Sequence, residues 1–179
     1  HNASKLSDEL GKISDYSVEE KNKLNKQIGL AALKYYILKV DPKKKILFDP
    51  LASIDFNGNT GPFIQYTYAR IQSLIIKSNF KPNMSKLNIE MNNKEKELIK
   101  ILVDFPDVIK NAGINYSPAI IANYIYELVK SYNSYYQTIT ILKVSDLDVK
   151  NLRLNISYKV GSVIKNSMNL LGIEVPQKM

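Results

Sequence analysis

The side chains able to do chemistry in this chain are suited to holding a ligand rather than to breaking bonds. Of its 179 residues, 12 are tyrosine and none is tryptophan, so tyrosine must supply most of any stacking surface. Among 25 basic residues only Arg70 and Arg153 are arginine. A guanidinium offers a planar fork to phosphate or to a base edge that a lysine ammonium cannot imitate. Cysteine is absent, which excludes disulfide, zinc-ribbon and thiol chemistry. The only histidine is His1, in a leading His-Asn-Ala that reads as a remnant of cleavage rather than native sequence, and the chain reads as a piece of something longer. With no His, Cys or carboxylate constellation, no catalytic residue and no metal ligand is expected. The net charge is +8; 12 basic and 8 acidic residues precede Asn79 and 13 and 9 follow it, so each half carries +4. A positive field spread in this way suits a polyanion, although lysine enrichment for solubility gives the same balance.

Helices must place these side chains. After a leader over 1–16 with no sustained apolar period, Leu24, Ile28, Ala31, Ala32, Tyr35 and Leu38 form one stripe of a helix over Val18–Leu38. The stretch from Phe48 to Gly61 is turn-rich and extended. Gly58 and Gly61 would permit positive φ there, Thr60 is placed to cap, and Pro62 suits a first helical turn. The helix that follows, about Pro62 to Ser78, is apolar with Gln65, Tyr66, Tyr68 and Arg70 on its polar face.

Residues 79–93 are polar and read as a loop. A helix over 94–112 contains Pro106, which should kink or divide it, and Gly113 is a plausible stop. Ser117-Pro118 opens a helix to about Tyr136, with Ile121, Ile125, Leu128, Tyr132 and Tyr135 as its core stripe. After an extended connection, Ser145 to Asp148 reads as a capping box for a last helix ending at Leu171-Gly172. Helices with short connections and almost no strand signal predict an all-α bundle, with one short extended segment before the second helix. No apolar run approaches the roughly 20 residues of a membrane span. With no visible targeting segment, a cytoplasmic location is expected.

The segment GNTGPFIQYTYARIQS resembles the turn and helix, G-[DN]-T-G-P-[YF]-[LIV]-Q-Y, that open the anticodon-binding domain of arginyl-tRNA synthetases. It gives Gly58, Thr60, Gly61, Pro62 and Gln65 a structural role. IGLAALKYYILK, FPDVIKNA with SPAIIANYIYELVKSYNSYY, and NLRLNISYKVGSVIKNSMNLLGIEVPQKM resemble further segments in the same order. Arg153 falls in an "A-L-R"-like signature whose Ala is Asn151 here. The resemblance runs from about Gln27 to Met179 and implies the C-terminal region of a bacterial enzyme of this family. It implies residues 17–60 as a connection from the catalytic part and 61–179 as the helical anticodon-binding (DALR-type) domain. The parent would ligate arginine to its tRNA with ATP and Mg2+; no cofactor is expected to bind this region. The implied partners are the anticodon arm of arginine tRNA and the catalytic domain of the same chain, with no membrane contact and a monomeric state. Both nucleotide-binding signatures of the family are missing, and Met84-Ser85-Lys86 follows the QYTYAR helix instead of preceding it.

A single-stranded loop is read by stacking on aromatic or guanidinium planes and by bonds to base edges. The candidate RNA-binding residues are therefore Tyr66, Arg70, Lys77, Tyr135, Tyr136 and Met179. Arg70 could instead form an ion pair or cap a turn, and Lys77 lies about two turns further along the same face. Tyr132 and Tyr135 continue the apolar stripe of their helix, whereas Tyr136 lies off it; the resemblance supports the Tyr135-Tyr136 pair without choosing between them. Met179 is either a base contact or a frayed end. Arg153 reads as a structural ion pair between helices. The competing function is a lysine-rich helical protein–protein interaction domain without RNA binding. A membrane-surface helix is weakly supported, since every amphipathic stripe can be buried within the bundle.

Overall fold

The computed structural model describes residues 16–82 and 89–179. Met84-Ser85-Lys86 and most of the leader lie outside them. Among the described residues there is no β-strand, and the order is α1 (Val18–Leu38), α2 (Pro50–Ser53), α3 (Gly61–Ser78), α4 (Asn93–Val103), α5 (Phe105–Ile114), α6 (Pro118–Thr138) and α7 (Leu147–Leu170). The all-α expectation therefore holds. No helix among the described residues is long and apolar enough to cross a membrane.

Helix starts follow local chemistry. Ser17 with Glu20, and Asn92 with Glu95, form capping boxes for α1 and α4. The last helix is capped by Asp146, whose carboxylate accepts from the Asp148 and Val149 amides, rather than by a box begun at Ser145. Asp49 caps the short α2, with Pro50 in its first turn; this one-turn helix replaces part of the expected extended run. Pro106 divides its region into α4 and α5 at Asp104. Gly113 does not end α5, which continues to Ile114 and stops where Tyr116 turns to φ 49°. At the end of α7, Gly172 takes φ 67° and the Ile173 amide donates to Met168 O at 2.8 Å. Because both of those side chains are buried, the stop also closes the core.

One core joins α3, α6 and α7 around Ile64, Ile71, Ile125, Leu128, Val160 and Ile164. Helix α1 packs on α3, while α4 and α5 cover α6. Ala31 and Tyr35 of α1 belong to the same core. The reason for Gly61 is close approach. A Cβ there would sit 2.4 Å from the Ala31 carbonyl oxygen, inside the backbone of α1. Neither Gly58 nor Gly61 has positive φ, which corrects the expectation from sequence.

Candidate nucleic-acid interface

The first turn of α3 is fastened before it presents anything. Thr60 Oγ1 accepts from the Phe63 amide at 3.3 Å and donates to Asp55 O. Lys39 Nζ donates to Asn59 O at 2.7 Å, and the Tyr35 hydroxyl lies 2.7 Å from both Asn59 Oδ1 and Ala122 O. Burial lowers the Lys39 pKa and raises that of Tyr35. These bonds lock the start of α3 to α1 and α6.

Beyond this lock the helix splits by face. Gln65 and Tyr68, expected on a polar face, are buried. Gln65 Nε2 donates to Glu174 O at 2.8 Å and reaches Gln27 O at 3.5 Å, so it ties the C-terminal segment to α1 and α3. Gln27 Nε2 holds the Glu174 carboxylate at 2.7 Å, and Lys34 Nζ donates to Gly172 O at 2.5 Å. The segment ends with Met179 only 6% exposed against Leu24, Ile28 and Ala69, so the last residue is docked rather than frayed.

The opposite face of α3 lines a groove of about 390 Å³ with the end of α6, the α6–α7 connection and the C-terminal segment. Tyr66, Arg70, Lys77, Tyr136 and Met179 all border it, together with Ser73, Leu142 and Lys178. Among the described residues that line it there is no acidic side chain. The Arg70 guanidinium carbon lies over the rings of Tyr66 and Tyr136, 4.9 and 5.2 Å from their centres. Its Nη1 donates to Asn133 Oδ1 at 2.9 Å. Among the described residues Arg70 forms no salt bridge. Lys77 is exposed at the far end, two turns along, and exposed Lys178 lies over the Tyr16 ring at 5.7 Å.

Tyr135 is removed from the candidate site. It is 0% exposed in the main core, and burial pushes its hydroxyl pKa well up. A ring with no accessible face cannot stack on a base. Tyr136, one residue on, is half-buried at the groove and 6.2 Å from Tyr132.

Arg153 lies elsewhere. Its Nε bonds Glu95 Oε1 at 2.8 Å, and Nη1 donates to Thr140 O at 2.6 Å. Glu95 also closes the capping box of α4, so this pair joins α4, α7 and the α6–α7 connection. Asn133, Thr67, Ser73, Leu142 and Lys178 were not singled out by sequence reasoning. Asn133 and Tyr136, like Thr67 and Arg70, are three apart and share a helix face. That α3 and α6 face each other there is tertiary information.

A helical bundle whose groove is lined by tyrosine and cationic side chains, with no acidic side chain among the described residues that line it, has the makeup of surfaces that hold single-stranded nucleic acid. Residues 64–179 match the DALR anticodon binding domain, and the chain belongs to that family. The arginine–tRNA ligase of Flavobacterium psychrophilum is 58% identical over 177 residues, covering 99% of this chain and 29% of that protein. That of Parabacteroides distasonis is 48% identical over 181 residues, covering 99% and 30%. Among solved structures, arginyl-tRNA synthetase from Plasmodium falciparum superposes with a TM-score of 0.82 at 25% identity, covering 99% of this chain and 32% of that one. The Thermus thermophilus arginyl-tRNA synthetase gives 0.87 at 24% identity, covering 99% and 31%, and supports the fold. The chain thus spans about 30% of the length of these relatives.

Proposed function

We propose that this chain is the part of an arginine–tRNA ligase that holds the anticodon arm of arginine tRNA. The observation that carries the reading is the groove in which Tyr66, Arg70, Lys77, Tyr136 and Met179 meet with no acidic side chain among the described residues that line it. Aromatic faces take splayed bases, while the cations take the phosphates between them. The names and greater length of the relatives support a catalytic domain elsewhere in the same protein, where arginine would be activated with ATP and Mg2+ and passed to the tRNA. Among the described residues no group of three His, Cys, Asp or Glu side chains is placed to hold a metal. This region orients the tRNA and carries out no bond chemistry.

The family match begins at Ile64, leaving α1 and α2 outside it. They and the connection between them carry Leu33, Ile37, Leu47 and Leu51, all exposed, Leu47 by 90%. We assign these exposed apolar side chains to contact with the catalytic part, in keeping with a connecting role for 17–60. A monomeric, cytoplasmic enzyme completes the reading.

Titration of the 179-residue chain with the anticodon stem-loop of arginine tRNA across a salt series tests it. Affinity should fall steeply with salt as counterions are released, whereas an apolar protein-binding surface would show no such slope. Salt-independent affinity, or none above that for an unrelated hairpin, would overturn the proposal.

A further inference from the structure

We infer that Asn133, itself held by Thr67, is the positioning residue that aims Arg70 into the groove. The inference rests on the reading of that groove as the RNA site and names the residues that set its geometry. Contact with two ring faces restrains the plane of a guanidinium through the ring quadrupoles. It leaves the group free to turn within that plane, so a directional bond must choose which donors face the ligand. The bond from Arg70 Nη1 to Asn133 Oδ1, at 2.9 Å, does this.

The orientation of the Asn133 amide is fixed in turn. Thr67 Oγ1 gives its single proton to Phe63 O at 3.1 Å. Toward Asn133, 3.0 Å away, that oxygen can therefore only accept, and Nδ2 must be the atom facing it. Thr67 is 0% exposed, so water cannot take its place. Turning the amide over would set Nδ2 against the Arg70 donor and Oδ1 against a hydroxyl with no proton to offer. The carbonyl oxygen consequently points at Arg70. Among the described residues only one guanidinium donor is used in this way, and the others can serve a phosphate or the acceptor edge of a base. Their direction is set before RNA arrives, which reduces the ordering cost of binding. Lysine at position 70 would have neither the plane nor the fork to be aimed.

A double-mutant cycle on the 179-residue chain, read by affinity for the anticodon stem-loop, tests the relay. Asn133→Ala should weaken binding about tenfold, equivalent to about 1.4 kcal/mol. It should weaken it no further once Arg70→Ala is present. Thr67→Val, which keeps the shape and removes the oxygen, should reproduce much of the Asn133→Ala loss, and Thr67→Ser should bind like the parent. Melting curves of each variant separate a loss of aim from a loss of fold. Equal cost of Asn133→Ala with and without Arg70 would show that asparagine acts by itself. That result would overturn the inference while leaving the groove as the RNA site. If Arg70→Ala leaves affinity unchanged, the groove reading fails at that residue and the relay has nothing to aim.

Discussion

Truncating Tyr136 and Tyr135 one at a time separates recognition from folding at neighbouring positions. Tyr136 is half-buried beside the groove, with the Arg70 guanidinium 5.2 Å from its ring centre. If it stacks on a base, Tyr136→Ala removes about 1–3 kcal/mol of stacking, and loss of one face for Arg70 adds about 0.5–1 kcal/mol. Together these weaken affinity by roughly tenfold to several hundredfold. The melting point should shift little, because that ring already meets solvent. Tyr136→Phe should recover most of the affinity, since the π-face and not the hydroxyl is the working surface. Tyr135 is 0% exposed, and its truncation should cost about 3–5 kcal/mol of stability, roughly 6–20 °C for a chain of this length. The assays are fluorescence titration against parent and base-substituted stem-loops, and thermal melting followed by circular dichroism. Normal binding by Tyr136→Ala, combined with a stable Tyr135→Ala that no longer binds, would refute the reasoning. Failure of both substitutions to change RNA affinity would make the pair purely structural.

Gly61→Ala should lower the melting point by several degrees, about 1–3 kcal/mol of overpacking, because a Cβ meets Ala31 backbone at 2.4 Å; an unchanged melt would refute the close-approach argument. Arg153→Met should cost about 3 kcal/mol in urea unfolding by stranding Glu95, whose side chain is 3% exposed; adding Glu95→Leu should recover much of this. Burial raises the pKa of Tyr35, Tyr132 and Tyr135, all 0% exposed, above the ordinary value near 10. Stability from these groups is therefore complete below about pH 10, where both states are protonated. It falls above that as the unfolded state loses protons the folded state keeps, by about 1.4 kcal/mol per pH unit per tyrosine, and unfolding free energies measured from pH 8 to 12 check the sign. Leu47→Ser and Leu51→Ser should leave stability within about 0.5 kcal/mol, given their 90% and 70% exposure, yet weaken binding to a catalytic part supplied as a separate chain, measured by calorimetry.

Helix positions were legible in the sequence because periodicity, proline and capping residues act locally. Val18–Leu38 agrees at both ends, and Pro106 splits its helix as its missing amide and ring sterics require. Even overlooked features had local signals. Asp49-Pro50 starts α2, and Ser17/Glu20 and Asn92/Glu95 have the three-residue spacing of capping boxes. The glycine stops show where local signals become ambiguous. Gly172 takes positive φ while Gly113 stays inside a helix, and the difference lies in the Met168–Ile173 contact that only the packed core supplies. The groove was legible by residue type and not by geometry. Tyr66, Arg70, Lys77, Tyr136 and Met179 meet because α3, the end of α6 and the C-terminal segment converge, and no spacing within one helix encodes that.

The segment from Gly58 to Arg70 alternates between two tasks, which explains how one helix can be both core and groove wall. Gly61 lets α3 approach α1, Thr60 secures the turn, and Gln65 binds the carbonyl of Glu174. Tyr66 and Arg70, one turn apart, face outward. Thr67 serves both sides, being bonded back to its own helix at Phe63 and forward to Asn133 on α6. The bond at Gln65 matters most for the shape of the groove. It fixes the segment that ends in Lys178 and Met179, so the helix that supplies one wall also positions the other. The width of the groove is then set by buried hydrogen bonds that touch no ligand. In a low-dielectric interior such bonds are costly to leave unmade, and a groove held by them keeps its width whether or not it is filled.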